Sequence, residues 1–163
     1  MITTFGRAWR GFTAVAAVAG AMAAAAAVAG NAYAGECPAG QMMAGAGNAG
    51  HAAKGVTDTV LTQIDLGAER IALQGHNMRV RRLVIQPGGI VPWHSHEARP
   101  ALIYVVSGQI YEYASTCAVP ILHKAGDVSR ETHATAHWWK NTGSVPVVLL
   151  SFDIQRDPND KNM

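Results

Sequence analysis

A pair of histidines offers the first chemistry. His94 and His96 are separated by one residue within Ile90 to His96, a run that reads as a β-strand behind the turn Pro87-Gly88-Gly89. Residues two apart on a strand project from the same face, so the pair forms a two-toothed clamp. Neutral imidazole is a ligand for zinc, copper, iron or nickel, and the clamp therefore suits a metal ion. Two strand histidines also arise as ordinary surface or core residues, so the surroundings decide.

Those surroundings contain five further landmarks at fixed intervals. Gly88 is separated from His94 by five residues, Gly108 follows the clamp, and Gly126, His137 and Asn141 form a second group downstream. Over Gln86 to Asn141 this pattern resembles the two motifs of the cupin superfamily. The first runs glycine, five residues, His-x-His, three or four residues, glutamate, six residues, glycine. The second runs glycine, five residues, Pro-x-Gly, two residues, histidine, three residues, asparagine. The resemblance implies an all-β double-stranded β-helix, that is, a jelly-roll or cupin barrel. It also implies one divalent metal ion, Fe, Zn, Cu, Ni or Mn, on His94, His96 and His137. Ala101 stands where the family usually has a ligating glutamate, and Thr132 and Ala134 replace the proline and glycine of the second motif. The site thus resembles the three-histidine subset, which is associated with iron-dependent dioxygenases as well as with zinc, copper and nickel. Three neutral ligands leave the full charge on the metal, so bound water or an anion is polarised strongly.

The elements that must position these residues are short. Val80–Gln86, Ile90–His96, Ala101–Ser107, Gln109–Ala114, Ile121–Lys124, Thr135–Lys140 and Val145–Asp153 read as strands rich in β-branched and aromatic residues, broken by Gly108 and Ala125-Gly126-Asp127. Evenly spaced short strands without a long helix independently point to a sandwich or barrel. Alternation places Trp139 and Asn141 on the face of His137, with Trp138 and Lys140 turned away. Ala101, Ile103 and Val105 share the inward face of their strand, giving an apolar, aromatic pocket wall. Arg99 stands near the mouth, where it either attracts a carboxylate or is a solvated surface residue. Glu97 follows His96 directly and so points to the opposite face. His133 reads as a surface residue rather than a fourth ligand. His51, His76 and His123 have no partners at ligand spacing and read as surface or edge residues.

The N-terminal region reads as an address. Arg7 and Arg10, an apolar run from Gly11 to Gly30 and the site Asn31-Ala32-Tyr33-Ala34 compose a secretory signal peptide over 1–34, cleaved after Ala34, with no membrane anchor remaining. The mature chain is then periplasmic or secreted. Residues 35–55 form a Gly/Ala-rich arm without periodicity, read as loosely ordered rather than as a soft copper site built on Met42, Met43 and His51. Residues 56–155 form the barrel domain, and 156–163 a polar tail. Cys37 and Cys117 are expected to pair in an oxidising compartment. Of 13 lysines and arginines, Arg7 and Arg10 lie in the leader, and the rest balance 11 aspartates and glutamates. That balance gives no support to a nucleic-acid partner. The expected function is an exported metal-binding cupin with a small-molecule ligand. Two alternatives are a three-histidine dioxygenase acting on a small apolar or aromatic substrate, and a metal-free cupin that binds or isomerises a small molecule. Pairing of cupins through their sheets suggests a homodimer.

Overall fold

The computed structural model describes Met1 and residues 36–46 and 51–156. The expected leader and its cleavage site, and all of the tail beyond Arg156, lie outside the described residues. The chain divides after Gly30, and every described element belongs to the second unit, Asn31–Met163.

Eight strands and no helix make up the described residues: β1 Lys54–Asp65, β2 Asn77–Ser95, β3 Ala101–Ser107, β4 Gln109–Ala114, β5 Ile121–Lys124, β6 Val128–Glu131, β7 Ala136–Lys140 and β8 Val147–Gln155. They pair antiparallel in the order β5-β4-β7-β2-β8-β3-β6, with β1 added against β2. The sheet curls into a nearly closed barrel, the double-stranded β-helix. Period-two alternation fixes its register: along β8, Val147, Leu149, Ser151, Asp153 and Gln155 are buried and the residues between them are not.

β2 is the spine. Its first half, Asn77–Ile85, pairs with β8, and its second half pairs with β7 from Ile90 to Ser95. The strand bends between them at Gly88-Gly89. The sequence breaks this region into two strands because Pro87-Gly88-Gly89 has turn chemistry; here the turn residues bend one strand instead of ending it. A register shift between Val91 and His94 sets His94 directly opposite His137.

The core below the histidines is apolar: Leu83, Ile85, Val91, Ile103, Val105, Ile110, Trp139, Val147 and Leu149 form one buried cluster with Ala101. Each large side chain in it contributes about 1.5–3 kcal/mol of transfer free energy. Asn141 closes β7 from within. It is fully buried, its Nδ2 donates to the carbonyls of Ile85 at 3.0 Å and Val145 at 2.8 Å, and its Oδ1 accepts from the Gly143 N–H.

Three sequence expectations are corrected. Val128–Glu131 forms β6 although its alternation is polar, because its inward residues are Ser129 and Glu131. β1 begins at Lys54, inside the stretch read as an arm. The arm itself is stapled: Cys37 is disulfide-bonded to Cys117, Met43 N–H donates to Thr116, and Ala118 N–H donates to Gln41.

Candidate metal centre

β2 and β7 bring the three histidines together. Their Nε2 atoms form a triangle with every side 3.0 Å, and the residues are between 1% and 7% exposed. Each Nδ1 is committed elsewhere: His94 to the Pro92 carbonyl at 2.9 Å, His96 to the Arg99 carbonyl at 2.8 Å, and His137 to Glu112 Oε1 at 2.7 Å. Since carbonyls and a carboxylate only accept, Nδ1 is the protonated nitrogen in each ring and Nε2 turns its lone pair inward. Burial, helped by the neighbouring His137, lowers His94 to a pKa of about 2 and His96 to about 4, so both are neutral ligands. Burial alone would lower His137 as well, but the carboxylates of Glu131 and Glu112 outweigh it and raise its pKa. The triangle thus joins two neutral imidazoles to one ring that two carboxylates hold from behind.

A cation fits this donor set. The three Nε2 atoms, each 3.0 Å from the other two, converge from two strands as one compact donor face.

Behind His137 lies a polar layer that the sequence did not reveal. Glu112 on β4 accepts from His137 through Oε1 and from His123 Nε2 through Oε2, each at 2.7 Å. Burial pushes its carboxyl up, yet these two histidines prevail and hold it down to about 2. Glu131 on β6 accepts from Ser129 Oγ at 2.6 Å, and burial pushes its carboxyl up to about 7. His123, expected at the surface, is fully buried in this layer. Its clue was register: His123 lies two residues from Ile121, and Glu112 lies between Ile110 and Ala114, all of them buried.

On the other side of the triangle is a space of about 20 Å³ bordered by Arg81, Leu83, Ile103, Trp139, Leu149 and Ser151. Ile103 and Trp139 therefore stand on the expected wall, with the Trp139 indole N–H 3.4 Å from His137 Nε2. Ala101 and Val105 pack in the core rather than around this space, and Asn141 is the structural tie described above. Arg99 is a correction too: it is 3% exposed, with its guanidinium 3.7 Å from Asp153. Arg79 and Arg81 also pair with Asp153, at 2.8 and 3.3 Å. Glu97 and His133 are exposed, away from the triangle's buried ligand atoms.

The cupin domain family matches residues 81–153, from β2 through β8, the span that carries the whole triangle. Residues 81–153 form a cupin domain. The chain is 28% identical over 113 residues to a germin-like protein of Arabidopsis thaliana (subfamily 2 member 1), covering 65% of this chain and 52% of that one. It is 30% identical over 108 residues to germin-like protein 5-1 of Oryza sativa subsp. japonica, covering 63% and 49%. The chain thus spans about half the length of the curated relatives it matches. Among solved structures, an oxalate oxidase in complex with the substrate analogue glycolate superposes with a TM-score of 0.50 at 18% identity, over 64% of this chain and 53% of that one.

Proposed function

We propose that this cupin is an exported metalloprotein that holds one divalent ion on His94, His96 and His137. The observation that carries the reading is the 3.0 Å triangle of Nε2 atoms, each ring fixed through its Nδ1. The imidazole donors would suit a transition metal such as manganese, iron, nickel, copper or zinc. Bound there, the ion supplies Lewis acidity to water or a small anion. The chain's residues do the rest. Glu112 orients His137 by holding its Nδ1–H. Arg81, paired with Asp58 and Asp153, and Ser151 give the adjoining space a polar edge, and Leu83, Ile103, Leu149 and Trp139 give it an apolar wall.

The space beside the triangle is small, about 20 Å³, which favours a small ligand over an aromatic substrate of a dioxygenase. Export is supported by the leader's composition and by the Cys37–Cys117 disulfide, a bond that persists in oxidising compartments. A homodimer is supported by the outward apolar face of β3 and β8, where Leu102, Tyr104 and Phe152 are exposed.

The deciding experiment is elemental mass spectrometry of untagged protein purified from its native compartment. About one equivalent of a transition metal, lost in His137→Ala, is expected. Retention of that equivalent in the His137 variant overturns the three-histidine reading.

A further inference from the structure

The polar layer behind His137 has a solvent-facing side. A cavity of about 370 Å³, distinct from the small space beside the triangle, is walled by Cys37 and Met42 of the stapled arm and reaches Glu112, Ser129 and Glu131. Glu131 is 2% exposed, yet its Oε2 accepts no hydrogen bond. His137 Nδ1 is 3.4 Å away from it and gives its proton to Glu112 at 2.7 Å. Ser129 Oγ stands between the carboxylates, 2.6 Å from Glu131 Oε1 and 3.5 Å from Glu112 Oε2. Among the described residues no lysine or arginine forms an ion pair with either carboxylate; Arg130, the outward neighbour of Glu131 on β6, pairs with Glu36.

Two buried carboxylates, an interposed hydroxyl and an oxygen with nothing to accept make an arrangement short of positive charge. The side-chain donors of this cluster are all oxygens, and the adjoining cavity, which Glu112, Ser129 and Glu131 help to line, would supply water to complete a shell. Hard divalent cations take such sets, whereas the imidazole triangle suits softer ones. We infer that Glu131, Glu112 and Ser129 form a second cation site, separate from the histidine triangle, for a hard divalent ion such as Mn²⁺, Mg²⁺ or Ca²⁺. This inference does not depend on the triangle being loaded.

The test is a Mn²⁺ titration of the chelator-stripped full chain, with free Mn²⁺ counted by electron paramagnetic resonance. Wild type is expected to bind two equivalents, His94→Ala one and Glu131→Gln one. Two equivalents in the Glu131 variant, or none in the His94 variant, overturns the second site. A single wild-type equivalent that survives His94→Ala and disappears in Glu131→Gln supports the second site and removes the triangle instead. Should the Glu131 variant not fold, Ser129→Ala is expected to weaken one of the two equivalents by about tenfold, and unchanged affinity there overturns the proposal.

Discussion

At the scale of single residues, the site divides into groups that would touch a metal and groups that aim them. His94→Ala and His96→Ala should each abolish stoichiometric binding by the triangle, while exposed His133→Ala leaves it intact; competition with a chromogenic chelator reads both. Glu112→Gln keeps the shape but weakens the acceptor that holds His137, and carboxylates in this position are worth about 10–100-fold in metal affinity. His123→Ala, which the sequence alone ranks with the harmless surface changes, now belongs with Glu112. It removes a 2.7 Å bond to a buried carboxylate and should cost about 2–3 kcal/mol in chemical denaturation. The histidines were legible because motif spacing marks them. Glu112, His123 and Glu131 were not, because they meet only through the pairing of β5 and β7 with β4 and the curling of the sheet that brings β6, paired to β3, beside them, and a charged residue in an inward register looks like a break in the pattern.

At the scale of elements, β3, β4 and β5 were legible to the residue because each alternates cleanly and ends in a turn. β6 was hidden by its polar inward face, and β2 was split by a proline-glycine pair whose bend the pairing with β7 and β8 spans. The turns permit a graded test. Gly108 and Gly126 both adopt positive φ, 82° and 97°, where a side chain is strained. A Cβ on Gly126 meets open space, whereas one on Gly108 comes within 3.0 Å of Val147 Cγ2. Gly126→Ala should cost about 1 kcal/mol and Gly108→Ala roughly 2–3 kcal/mol, compared by urea midpoints at constant m-value. The reverse order would mean that Val147 yields freely.

At the scale of the molecule, two constraints act on the unfolded chain and on the folded one. The Cys37–Cys117 bond joins residues 80 apart. Loop-closure arithmetic assigns such a link about 4–5 kcal/mol, so a Cys37→Ser, Cys117→Ser double variant should unfold at markedly lower urea concentration. A metal bound only by the native state should raise the melting temperature with its free concentration, and chelation should reverse the rise. The long β2 has a different consequence, one of inheritance. Its halves are phased by two different partners, and only Gln86 to Gly89 lies between the two paired stretches. One residue more or fewer within the paired segment before His94 would exchange its inward and outward faces, turning the clamp out of the barrel. Insertions should therefore be tolerated in the connections 66–76, 115–120 and 141–146 and not between Arg79 and His96, where a one-residue insertion is expected to abolish binding by the triangle.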